Sequence, residues 1–348
     1  MPGAVAFLGG SETEPIAVGS SAVDGPPMAV DAIVRIQSMT KVVTSVAALR
    51  LVEAGRLTLD DDVLPWLPEL AVCRVLTRPD AELDDVVPRD RPITLRHLLT
   101  NTSGYGMQTA DTPLARAMAA NETEAGPAPS PLGPDEWLAK MAELPLAFQP
   151  GTGWRYHHGF AILGILVSRI VGRPLQDHFD DDLFGPLGMP DTGLWVPTDR
   201  CHRLTAAYKL ENGSLIETEP AAGGAYAGPP AVDVSHGELV STVTDFHRFL
   251  RAIPTLVSTE HLELMTHDQV PVAIKTDDSF FPGFWTGTGW GFGVSVVTEG
   301  DHLGRYGWSG GQGTDFFVDP DGTVGILMTQ TELGEATFAL LSEFQELR

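Results

Sequence analysis

Residues 34–55 read VRIQSMTKVVTSVAALRLVEAG, and the tetrapeptide Ser38-Met39-Thr40-Lys41 inside them decides how the rest of the chain is read. Val42, Val43, Val46, Ala47, Val52 and Ala54 recur at helical spacing, and Gly55 stands where a helix stops on a left-handed residue. The pattern predicts a buried helix whose first turn carries a hydroxyl and an amine. Positions three apart share a helical face, so Ser38 Oγ and Lys41 Nζ can meet without help from distant chain. A serine hydroxyl is a poor nucleophile until something takes its proton, and a lysine can take it only when neutral. Burial in an apolar helix, away from carboxylates, supplies that condition by desolvation. The N–H groups and dipole of the helix start favour negative charge developing beside Ser38. Of the four lysines, Lys41, Lys140, Lys209 and Lys275, only Lys41 follows a serine by three positions.

The bulk numbers frame this site. A chain of 348 residues with 43% hydrophobic content is long enough for two layered domains, or one large one with insertions. A formal charge of −24 argues against nucleic acid and anionic membranes as partners. Its acidic clusters, such as Asp60-Asp61-Asp62 and Asp180-Asp181-Asp182, read as solvated faces. No apolar run reaches the length of a membrane span, and Met1-Pro2-Gly3 opens into a strand pattern without a basic leader, so a cytoplasmic setting is the default expectation. Cys73 and Cys201 stand far apart and imply no disulfide. Neither falls at metal-ligand spacing, and no metal or cofactor is expected.

The longer run RIQSMTKVVTSVAALRLVEAGRLTLDDDV resembles the serine β-lactamase and penicillin-binding-protein superfamily, in its class C-like branch of esterases, D-aminopeptidases and transacylases. The resemblance continues through almost the whole chain. It implies that Ser38 is the acylated nucleophile and that Lys41 shares the general-base role. Leu98 to Gly104, LLTNTSG, matches a family loop that borders the active site and would bring Tyr105 to the substrate. Pro150-Gly151-Thr152-Gly153-Trp154-Arg155-Tyr156, followed by a small-residue helix, matches the place of the family's Tyr-x-Asn motif. Tyr156 would then relay protons, its phenol ionising more easily than usual beside hydrogen-bonding or cationic groups.

Two departures bear on substrate. The asparagine position is His158, and the lysine of the family's Lys-Thr-Gly motif is replaced by Trp308 in Trp308-Ser309-Gly310-Gly311. Both changes remove groups suited to anionic, amide-rich substrates. The resemblance also assigns the oxyanion hole to the backbone N–H groups of Ser38 and Gly311. His158, Trp308, Ser309 and Gly310 are expected at the substrate, with closely placed glycines leaving the strand bare for it.

Strands are expected at residues 4–8, 16–19, 289–297, 304–308, 314–318 and 323–329, with a turn at 11–14 and a closing helix at 336–347. Short connections imply an antiparallel sheet joined by the N-terminal hairpin. Family members usually carry a helix before that hairpin; its absence here means a late start or another element on that face. The predicted fold is α+β, β-lactamase/transpeptidase-like: an antiparallel sheet flanked by helices, from residues 1–60 and 225–348, plus a mainly helical domain at 61–224. Residues 121–134 read equally as a mobile rim or a plain linker. His236 and His247 read as structural.

The expected reaction is acyl transfer through a Ser38 acyl-enzyme, with carboxylic-ester hydrolysis in the lead and a small-molecule ester or acyl donor as partner. A transacylase, an amidase or D-aminopeptidase, and a β-lactamase share the mechanism; a non-catalytic binder on this fold is the alternative of a different class. Oligomeric state is not legible.

Overall fold

The computed structural model describes residues 1–10, 13–126, 129–231 and 238–347. The turn at 11–14 therefore lies partly outside the described residues, and His236 lies wholly outside them. Seven strands form one antiparallel sheet in the order Ile16–Gly19, Gly3–Gly9, Val324–Met328, Thr314–Val318, Tyr306–Gly310, Ser295–Val297, Thr288–Trp290. The N-terminal hairpin thus pairs with the last strand, Val5 opposite Met328. The fold is α+β, an antiparallel sheet flanked by helices, as expected.

One expected strand, 289–297, is two. The chain turns at Gly293, whose φ is +79°, and Gly291 N–H donates to Val294 O at 2.9 Å. A side chain at Gly291 would lie 2.0 Å from Met265 O, so the helix Thr259–Thr266 can approach only because that residue is bare. The charged segment near residue 80, which carries little periodicity, contains a short hairpin, Arg74–Leu76 with Val86–Pro88.

Strand alternation divides the sheet into two faces. Ala4, Phe317 and Leu327 point to one and are covered by Leu341 and Phe344 of the closing helix Glu335–Gln345. Val5, Phe7, Phe316, Ile326 and Met328 point to the other face, into the main core with Val42, Val43 and Val46.

The helix Thr40–Glu53 runs through that core and buries apolar residues all round rather than along one stripe. It ends as expected. Arg56 N–H reaches Leu51 O at 3.0 Å and Gly55 N–H reaches Val52 O at 2.9 Å, with Gly55 at φ +68°, a Schellman stop. A second apolar helix, His158–Val171, packs against it and closes on Gly172, φ +75°. Among the described residues no single helix is long and apolar enough to cross a membrane; His158–Val171 and Leu175–Leu187 pass that test only as a pair bent by 75°.

Candidate active site

Ser38 is fixed by a tight turn rather than by the helix itself. Gln37–Met39 form a single 3₁₀ turn, and the α-helix begins at Thr40. Gln37 has φ +50°, an unusual conformation for a non-glycine residue, and it stands directly before the nucleophile. Neighbouring chain holds the turn in place. Ile36 N–H donates to Leu239 O at 3.0 Å, Thr314 Oγ1 donates to Ile36 O at 3.0 Å, and Gln37 Nε2 donates to Tyr226 Oη at 3.1 Å.

Lys41 Nζ lies 2.9 Å from Ser38 Oγ, and the lysine is fully buried while Ser38 is half-buried. Burial alone drives the amine well below its ordinary pKa. Loss of water penalises the ammonium form, so the neutral amine is favoured. Its surroundings are aromatic: Nζ is 4.6 Å from the ring centre of Tyr156 and 5.9 Å from that of Phe160.

Tyr156 comes from a distant part of the chain, just before the helix His158–Val171. Its backbone is gripped by the 101–107 loop, with Arg155 N–H on Asn101 O at 3.0 Å and Met107 N–H on Tyr156 O at 2.9 Å. Gly106 permits this, since a side chain there would strike Arg155. His157, next in sequence, has φ +90° and starts the His158–Val171 helix, so the chain bends sharply just past the tyrosine. The Tyr156 hydroxyl is hydrogen-bonded to Ser38 and accepts from Trp308 Nε1 at 2.5 Å. These bonds favour the phenolate, yet desolvation outweighs them and the phenol pKa is raised. The expectation of an easily ionised tyrosine is therefore reversed: Tyr156 rests as a neutral hydroxyl.

The sequence-derived substrate contacts divide. Trp308 reaches the site and stacks edge-on to Trp290 at 4.7 Å, but its single N–H is taken by Tyr156. His158 is buried beside Lys41, with Nε2 at 2.8 Å from Thr123 O, and burial lowers its pKa to about 4. It is a neutral imidazole, and with His157, Thr123, Pro129 and Trp137 it lines a cavity of about 370 Å³. Tyr105 does not reach the cleft: it is 2% exposed and its hydroxyl meets Cys73 Sγ at 2.8 Å. The 101–107 loop serves the site through its backbone, and Tyr105 anchors it.

Ser309 is also turned away. Neighbours on a strand point to opposite faces, so with Trp308 in the cleft Ser309 faces its cross-strand partner Asp315 and hydrogen-bonds to it. Gly310 is bare for the nucleophile turn rather than for substrate, because a side chain there would sit 2.3 Å from Ile36 O and 2.2 Å from Thr314 Oγ1. Gly311 differs: the nearest atom to a side chain there would be Gln37 Oε1 at 3.8 Å.

Sequence reasoning missed the segment Phe280-Phe281-Pro282-Gly283-Phe284-Trp285. Phe280 lies 5.0 Å from Tyr156 and 6.3 Å from Trp308, and Phe284 lies 6.0 Å from Trp308. Four aromatics in six residues, in a chain with 8% aromatics, was the available signal.

Comparison with known proteins gives the family and the fold. The family model described as Beta-lactamase matches residues 2–345. Lovastatin esterase of Penicillium rubens is 32% identical over 328 residues, covering 84% of this chain and 78% of that protein. Esterase EstB of Burkholderia gladioli is 30% identical over 337 residues, covering 88% and 79%. The solved structure of EstCE1, a hydrolase with promiscuous acyltransferase activity, superposes with a TM-score of 0.81 at 24% identity, covering 99% of this chain and 93% of that one. From the family match and its esterase relatives it follows that the chain belongs to the β-lactamase family and is an enzyme of serine-hydrolase type.

Proposed function

We propose that this protein hydrolyses small-molecule carboxylic esters through an acyl-enzyme on Ser38. The observation that carries the reading is the 2.9 Å contact between Ser38 Oγ and a lysine amine that is wholly out of water. Neutral Lys41 takes the Ser38 proton as Oγ bonds to the ester carbonyl carbon. The N–H groups of Ser38 and Gly311 receive the oxyanion. The carbon–oxygen bond to the alcohol then breaks, and the alcohol leaves with the proton from Lys41, passed through the Tyr156 hydroxyl. Water attacks the acyl carbon, gives its proton to Lys41, and Ser38 regains a proton as the acid departs.

The esterase relatives and the loss of a cationic group at Trp308 favour esters over β-lactams and peptides. A transacylase differs only in replacing water by an alcohol in the second half, and EstCE1 supports keeping that possibility on the same site. On this reading the cleft lies between a unit of residues 1–60 with 225–348 and a unit of residues 61–224.

A fluorophosphonate probe is expected to label Ser38 and to fail on Ser38→Ala. Phenyl acetate is expected to be turned over far faster than a chromogenic cephalosporin. Folded protein that resists the probe and spares the ester would sink the proposal.

A further inference from the structure

Beyond the catalytic trio, the open side of the site is walled by rings. Phe280 is half-buried and touches Tyr156 at 5.0 Å and Trp308 at 6.3 Å. Phe281, whose ring is tilted against it at 4.8 Å between centres, is left 49% exposed. Trp308 itself is only partly covered. Behind them Phe284 and Trp290 are buried and keep the wall rigid, with Phe284 5.2 Å from Phe280 and Trp290 4.7 Å from Trp308.

The wall is fastened to the catalytic side of the cleft. Asp278, two residues before Phe280, pairs with Arg155, the neighbour of Tyr156, at 3.1 Å. Ser279 Oγ accepts from Trp285 Nε1 at 2.7 Å and closes the loop on itself. A half-exposed phenylalanine beside a reacting hydroxyl, with its backing rings already packed, is apolar surface waiting for a flat apolar partner.

Resting on the ester-hydrolase reading, we propose that Phe280, Phe281 and Trp308 form a subsite for an aromatic or fused-ring group of the ester, which makes this enzyme selective for ring-bearing esters over short aliphatic ones. Aromatic pairs at these spacings contribute up to about tenfold in binding each. The selectivity resides in the 278–290 segment with Trp308, and not in the Ser-x-x-Lys helix.

The test uses three esters: vinyl acetate without a ring, phenyl acetate with the ring on the alcohol, and vinyl benzoate with the ring on the acid. The native enzyme is expected to favour one ring-bearing ester over vinyl acetate in kcat/KM, and which one reports the half that sits on the wall. In Phe281→Ala that preference is expected to fall about five- to tenfold, mostly through KM, and in Phe280→Ala by at least as much; Phe280→Tyr should restore it. Fluorophosphonate labelling of each variant reports whether the Ser38 machinery survives. Turnover of all three esters with an unchanged preference in both alanine variants overturns the subsite alone. Failure of the native enzyme to turn over any ester overturns the reading beneath it.

Discussion

Trp308 Nε1 donates its only hydrogen bond to the Tyr156 hydroxyl, at 2.5 Å. On the proposed mechanism, Trp308 therefore acts on the proton relay, by orienting the phenol toward Ser38. Trp308→Phe keeps the ring and deletes the donor. The expected result is a fall in kcat of about tenfold, the worth of one buried hydrogen bond, with the alkaline side of the pH profile moved upward. A change confined to KM would show that the indole serves substrate only.

Lys41 sets the acid side. Its amine is held well below the ordinary lysine range by desolvation, so kcat/KM is expected to rise with pH through a pKa far under 10.5. Lys41→Arg cannot deprotonate and is expected to lose on the order of a thousandfold in kcat.

The same burial bears on stability. Between the folded pKa and 10.5 the unfolded chain binds more protons, so stability rises with pH across that window. Lys41→Met, similar in volume and uncharged, should melt higher than the native protein at pH 7, with the gap closing toward pH 10.5 in thermal melts.

Gly310→Ala would drive a methyl into Ile36 O and Thr314 Oγ1, both strongly held. A loss of about 1–3 kcal/mol is expected in urea unfolding. Gly311→Ala meets nothing nearer than 3.8 Å and should change stability little. Equal losses would mean that the nucleophile turn does not lean on the strand as described.

Asp315 is fully buried behind Ser309, accepts from Gln345 Nε2 at 3.0 Å, and burial raises its pKa to about 7. The folded state therefore holds a proton that the unfolded chain releases from about pH 4 upward, and stability falls as pH climbs from there to about 7. Asp315→Asn is expected to flatten that part of the curve, and to be the more stable protein at pH 8 by on the order of a few kcal/mol. Urea midpoints measured from pH 4 to 8 check the sign.

Local chemistry was legible and long-range facing was not. Ser38 and Lys41 are three residues apart, so helical geometry brings them together whatever else the chain does. Gly55, with φ of +68°, follows from backbone preferences that act within a few residues. Tyr105 was placed in the cleft because its loop is there, but a loop can give its backbone to one side and its ring to the other. Ser309 was legible in principle, since alternation sends it opposite to Trp308. The rings of 280–285 reach Tyr156 across more than a hundred residues, and no periodicity announces such a meeting.

The aromatic wall and the buried amine belong to stretches of chain more than two hundred residues apart. On that reading, mutations at Phe280 and Phe281 can therefore reshape what the enzyme accepts while Ser38 and Lys41 stay intact. Such a division lets new preferences be sampled by natural drift or laboratory selection without first sacrificing turnover.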